Sequence, residues 1–315
     1  MIAFLIRRVA GMVMVLAVVS FIVYLVFVKI PGGDPAQRIA GRTATQANIV
    51  AIRDKLGLDQ PFYVQWYKMM EQLFTGKLVS YTDQLSVTSQ IWQGIPVTFS
   101  LSIGAAIIWL FFGILVGVIS AVTAGRLSDR LITVLALIGV SLPVFWLGII
   151  LRYLLAEKNS IFPDGGYVPL TSNPAQWFFH LILPWFTLAV LSIGFYGRVL
   201  RSNILDSIND DFVRTARAKG LSARRVLVKH ILRNSLIPIV TLFGLDFAAV
   251  LGGGAILTET VYDLHGVGFY ARTAIGSLDL PPLMGVTLFG AFFIVLFSTL
   301  VDVVYAWLDP RIRLQ

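Results

Sequence analysis

The chain reads as an all-α integral membrane protein with six spans, and three features of its 315 residues predict that class. Hydrophobic residues make up 57% of the chain and charged residues only 13%, against about 25% charged in an ordinary soluble domain. Six stretches each approach the length of about 20 mainly apolar residues that crosses roughly 30 Å of hydrocarbon. Lys and Arg gather in alternate connections between those stretches. Mean hydropathy is +0.81. There is no cysteine, which excludes a disulfide framework, a thiolate metal site and a cysteine nucleophile.

The first stretch, 9–30 (VAGMVMVLAVVSFIVYLVFVKI), holds thirteen Val, Leu, Ile or Phe residues between Val9 and Val28. Each favours insertion by about 0.3–0.6 kcal/mol at a span centre. The run exceeds the roughly 7–15 apolar residues of a cleaved leader and no clear A-x-A site follows, so it is read as a span. The other five lie at 97–124, 131–155, 181–200, 236–257 and 283–308. Gly113 and Gly117, four apart in the second, let a neighbouring helix approach closely. Pro143 predicts a kink in the third, with a freed carbonyl that needs another partner. Gly252, Gly253 and Gly254 predict unwinding, close backbone packing or a simple helix end.

Six spans put both termini on one side. With the termini in the cytoplasm, segments 1–8, 125–130, 198–235 and 309–315 hold 15 of the 25 Lys and Arg and five Asp, a net +10. That is the positive-inside pattern, judged on the short loops because the segment 31–95 is too long to count. The chain therefore divides into an N-terminus and first span (1–30), an outer cap segment (31–95), a five-span core (96–308) with an inner loop at 201–235, and a cytoplasmic tail (309–315). The cap segment contains Tyr63, Trp66 and Tyr67, and its composition predicts a small helical cover over the core.

One basic stretch stands out between apolar ones: 210–238, DDFVRTARAKGLSARRVLVKHILRNSLIP. Asp210 and Asp211 suit a helix N-terminus and its positive dipole end. Phe212 to Lys219 then form about two turns, and Gly220 supplies a left-handed stop. Ser222 opens a second helix in which Val228, Ile231, Leu232 and Ser235 share one face and Arg225, Lys229 and Arg233 another. The basic stripe suits anionic lipid headgroups. It does not explain a capped two-turn helix projecting beyond it, which suits a socket on another protein. Nucleic acid is disfavoured, because these residues are tied between spans and lack stacking aromatics.

These residues resemble a known family. TARAKG with a downstream LIP is similar to the cytoplasmic loop of ABC importer permeases, and RTARAKGLSARRV…HILRNSLIP to its form in the dipeptide/oligopeptide/nickel group. Further matching stretches are RRVAGMVMVL, PGGDPA, LGLDQPFYVQW, GIPVTFSL, DRLITVLALIGVSLPVFWLG, ETVYDLHGVGFYARTAI and LVDVVYAWLDPRIRL, which together cover almost the whole chain. They resemble the first of two permease subunits, with the type I ABC importer fold. The general Glu-Ala-Ala positions fall here on Arg214, Thr215 and Ala216, and Pro238 lies farther from Gly220 than the general pattern has it. Both departures are usual in the peptide group.

The resemblance implies a multi-pass protein of the bacterial plasma (inner) membrane. It implies a heterodimer with a second permease subunit, two ATPase domains carrying ATP and Mg, and an extracytoplasmic solute-binding protein received on the cap. Phe212, Arg214, Thr215, Ala216, Arg217, Lys219, Gly220 and Leu221 are then the helix that couples to an ATPase. Peptides are the implied solute, with nickel, glutathione or another small solute as alternatives on the same architecture.

The chain itself offers no bond chemistry. It lacks G-x-x-x-x-G-K-[ST], so no phosphate-cradling loop is present. It also lacks H-E-x-x-H and G-x-S-x-G. His180, His230 and His265 are far apart, and no metal or catalytic residue is assigned. Two acids fall inside spans, where a central carboxylate costs about 2.5–3.5 kcal/mol and faces a partner or a wet cavity. Asp302, near Arg311 and Arg313, is read as structural ion pairing. Two placements are open to Asp246: facing the pathway, where it attracts a peptide's ammonium group, or pairing with another subunit. A proton-coupled secondary carrier using both acids is the alternative of a different class.

Overall fold

The apolar stretches form long helices, and a computed structural model describes them over residues 2–29, 36–37 and 45–308. Helix α1 is Ile2–Lys29. The cap segment forms α2 (Gln46–Leu56) and α3 (Phe62–Phe74). The core continues with α4 (Val87–Val122), α5 (Leu127–Ser141), α6 (Val144–Leu151) with a π-helical extension Arg152–Glu157, and α7 (Pro174–Ser207). The basic stretch gives α8 (Asp211–Ala218), α9 (Ala223–Val226), a π-helical turn Leu227–Ile231 and α10 (Leu232–Ser235). Then come α11 (Ile237–Ala249), a π-helical turn Val250–Gly254, α12 (Ile256–Val261), α13 (Val267–Ser277) and α14 (Leu280–Leu308). The expectations at Arg311, Arg313 and the tail 309–315 lie outside the described residues.

Five of these helices are long and apolar enough to cross a membrane unbroken, and the count reaches six when α5 and α6 are taken as one broken crossing. The expectation of a single kinked helix over 131–155 is corrected here. The two halves meet at 98°, far beyond a simple kink. Leu142 and Pro143 are both extended, at ψ 129° each. Proline has no N–H to continue the ladder and also drives the residue before it out of the helical region. Two successive non-helical residues turn the chain a corner.

The centre of the molecule is the pair α4 and α7, about 54 Å and 51 Å long at 1.5 Å per residue. They run parallel in close contact because glycine removes the side chains between them. A Cβ on Gly113 would stand 2.8 Å from Tyr196 Cβ, and one on Gly117 2.8 Å from Leu200 Cβ and 2.9 Å from the Gly197 carbonyl. Those clashes leave no room for even an alanine without moving a backbone. Around this seam Trp109, Leu101, Tyr196, Leu200 and Ile204 are almost fully buried.

Of the readings open for Gly252–Gly254, unwinding and close packing are both present. Gly253 leaves the helix at φ 138°. A Cβ on Gly290 would come within 2.5 Å of the Gly252 carbonyl, so α14 crosses there in near contact. The cap packs onto α1 and α14 through Met69, Leu78, Tyr24 and Met284. Trp66 donates its indole N–H to Ser20 Oγ at 3.1 Å and Tyr24 donates to Gln65 Oε1 at 2.6 Å, which ties the cap to the first span.

Candidate functional site

Helix α8 begins at Asp210, whose backbone is extended (φ −64°, ψ 149°) and whose side chain caps no N–H. Its contribution is charge beside the positive end of the helix, shared with Asp211 in the first turn. The helix stops as the TARAKG pattern predicts. Gly220 is left-handed at φ +75°. Its N–H reaches the Arg217 carbonyl at 2.9 Å, and the Leu221 N–H reaches the Ala216 carbonyl at 3.4 Å. That pair of bonds is the Schellman closure. A Cβ at Gly220 would meet nothing within 4 Å, so backbone conformation, not space, calls for glycine there.

The short helix has two faces. Val213 and Ala216, three apart, are buried and join the cluster containing Ile204, Val226 and Ile231. Phe212, Arg214, Thr215, Arg217, Lys219 and Gly220 are exposed, and Leu221 is half-buried. Phe212 keeps 40% of its surface open on a helix rimmed by cations. Ala216 faces its own chain, with 5% of its surface exposed. The Asp211–Arg214 pair at 3.7 Å is solvent-exposed and contributes little.

Behind α8 the chain is fastened at two points. Arg201, near the end of α7, grips Asp129 of α5 with two bonds of 2.8 Å, Nε to Oδ1 and Nη2 to Oδ2. The buried Asp129 carboxylate also accepts the Ser120 hydroxyl from α4 and the Gly125 N–H at 2.9 Å. Three long helices thus meet on one carboxylate. Asn203 and Ser235 exchange bonds, side-chain amide to carbonyl at 3.3 Å and hydroxyl to carbonyl at 3.2 Å, which joins α7 to α10.

The face predicted for the second helix needs correction. Val226, Ile231 and Ser235 are buried, while Val228 is 56% exposed. The π-helical turn Leu227–Ile231 adds a residue to one turn, so the inward positions are spaced five and then four apart. Arg225, Lys229 and Arg233 remain exposed. Sequence periodicity assumes 3.6 residues per turn and carries no sign of such a widened turn.

In the membrane interior, Asp246 of α11 is half-buried and accepts the Tyr196 hydroxyl at 2.8 Å. The side chain of Asp302 lies outside the described residues. His180 donates from Nδ1 to the carbonyls of Gly165 and Gly166 at 2.9 and 3.1 Å, which pins the loop before α7. His265 is exposed beside Asp263. Among the described residues no cluster of His, Asp or Glu could hold a metal.

Two buried carboxylates at the opposite end escaped sequence reasoning. Glu259 accepts the Thr98 hydroxyl at 2.7 Å and the Phe269 N–H at 2.7 Å, bridging α4, α12 and the start of α13. Burial pushes its carboxyl up to about 7 despite these bonds. A Cβ on Gly266 would sit 2.6 Å from that carboxylate, so HGVG is the one local sign of it. Asp279 accepts Ser80 Oγ at 2.6 Å and the N–H groups of Tyr81 and Thr82 at 3.1 and 3.0 Å, locking the cap to the α13–α14 junction.

The membrane-length helices and the family they match make this a multi-pass permease subunit of the type I ABC importer fold. The chain belongs to the family described as binding-protein-dependent transport system inner membrane component, which matches residues 113–314, with its N-terminal component matching 1–102. It is 38% identical over 328 aligned residues to a probable D,D-dipeptide transport system permease protein of Escherichia coli (strain K12), covering 97% of this chain and 96% of that one. It is 35% identical to a glutathione transport system permease protein of Salmonella paratyphi A, over 99% of each chain. A dipeptide transport system permease protein of Alkalihalophilus pseudofirmus is 33% identical, over 99% of this chain and all of that one.

Proposed function

We propose that this chain is one of two different permease subunits of an ATP-driven bacterial importer for dipeptides or oligopeptides, with α8 as its coupling element. The observation that carries the coupling reading is the two-faced helix α8. It is stopped at both ends, fastened inward through Val213 and Ala216, and open outward at Phe212 and the cations. Both termini and α8 lie in the cytoplasm, where the short basic segments belong. ATP and Mg are held by two partner ATPase domains, and a cleft in one of them receives Phe212–Leu221. Closure of the ATPase pair moves α8 as a rigid piece, and the Arg201–Asp129 and Asn203–Ser235 fastenings pass the movement to α4, α5, α7 and α10.

Peptides are favoured as solute by the names of two of the relatives above; a glutathione permease of comparable identity keeps other small solutes as the second reading. The solute-binding protein delivers from the cap side. Isolation of the chain from its native membrane in mild detergent tests this. Two ATPases, a second permease and a solute-binding protein are expected with it, and the solute held by that binding protein names the substrate class. A chain that stays alone through several gentle detergents, yet moves solute on a proton gradient, would replace this reading with a carrier.

A further inference from the structure

We infer that Asp246 is a cation-accepting site at mid-membrane depth on the solute pathway, receiving the protonated amine of the solute as it passes. The inference rests on the importer reading and adds the chemical group that is recognised. The span Ile237–Gly254 is 18 residues long, about 27 Å, and Asp246 lies nine residues in, so about 13 Å from each end. A carboxylate at that depth is expensive in lipid and belongs against the bundle interior or a wet cavity. Among the described residues its support is one neutral donor, the Tyr196 hydroxyl at 2.8 Å. That bond stabilises the carboxylate without cancelling its charge. Among the described residues no cation pairs with it.

The surroundings fit a site that is built but left open on one side. Tyr196 is 1% exposed and fixed against Gly113 by the α4–α7 seam, so its hydroxyl is held where Asp246 can use it. Leu242, Asp246 and Val250 fall on one strip at intervals of four, all half-buried, beside exposed Leu245 and Ala249. Lipid on that strip would strand the carboxylate, so water or protein borders it. The wall behind is aromatic. Trp109 packs at 6.4 Å from the Tyr196 ring and 6.0 Å from Phe243, and Phe243 stacks on Phe247. Trp109 and Phe247 are buried, so these rings close the site from behind. The Trp109 indole N–H, fully buried, has no acceptor among the described residues. Within this chain a single tyrosine supports the carboxylate, which leaves it available for a weak, reversible contact, as transport requires.

Because the chain has no cysteine, the charge can be read by a thiol placed one turn away. In the reconstituted importer, Leu242→Cys is reacted with aminoethyl methanethiosulfonate, which carries an ammonium group, and with its sulfonate counterpart; labelling is followed on this chain. The ammonium reagent is expected to react faster, and the ratio of the two rates is expected to fall at least about threefold when Asp246→Asn is added. Val250→Cys, one turn on the other side, repeats the measurement should Leu242→Cys disturb assembly. Equal rates that ignore Asp246→Asn, or no reaction at either position with and without ATP, overturn the site. Uptake by the same vesicles is measured separately. Loss of its ATP dependence would overturn the importer reading while leaving the charge effect standing.

Discussion

Buried carboxylates show best how single residues hold this fold. Asp129, Glu259 and Asp279 are each almost fully buried; the first two collect donors from two or more segments and Asp279 collects three from the cap residues 80–82, so each works as a junction. They were not legible in the sequence, because acids near the ends of apolar stretches look like ordinary solvated residues. Asp246 was legible, since an acid in the middle of a span has no such excuse. Glu259 carries a testable consequence. Its folded value of about 7 lies above its ordinary 4.5, so the folded state binds the proton more readily. The stabilisation from this group is complete below about 4.5 and is lost as pH rises through about 7. The purified subunit should therefore lose thermal stability between pH 5 and 8, and Glu259→Gln should flatten that slope. A slope unchanged in Glu259→Gln would show that another group sets it.

At the scale of elements, the local signals were strong where backbone chemistry decides. The stop at Gly220 and the corner at Pro143 both follow from residues with restricted or unusual φ. The 98° severity of the corner was not legible: that Leu142 leaves the helix follows from the proline after it, but the angle at which the two halves meet does not. The widened turn at Leu227–Ile231 was hidden for a different reason: it accompanies the burial of Val226, Ile231 and Ser235, and no residue type in the stretch marks it. The Gly113–Gly117 spacing was read correctly as a contact seam, though only the structure supplies α7 as its partner. Gly117→Val is expected to force Leu200 and the Gly197 carbonyl away and destabilise the subunit by about 1–3 kcal/mol or more. Thermal unfolding in detergent measures this. Gly11→Val, at a position where a Cβ meets nothing within 4 Å, is expected to leave the midpoint within about a degree.

At the scale of the whole molecule, α4, α5 and α7 converge on Asp129, α7 and α10 on the Asn203–Ser235 pair, and α8 hangs between those two fastenings. A push on α8 therefore reaches several spans at once. The membrane class and its six-span plan were legible from composition and charge, the permease family from the matching stretches, and the end of α8 from Gly220. Which face of that helix is open was not, because burial of Ala216 depends on residues far along the chain. The most direct measurement of the coupling claim is uptake and substrate-stimulated ATP hydrolysis by the reconstituted importer carrying Phe212→Glu or Gly220→Pro. Phe212→Glu changes an exposed side chain, while Gly220→Pro destroys the left-handed stop and the bond to Arg217. Both variants should insert and fold, yet lose uptake by about tenfold or more, with substrate no longer stimulating hydrolysis. Full uptake with normal stimulation in both variants would contradict the coupling role of α8.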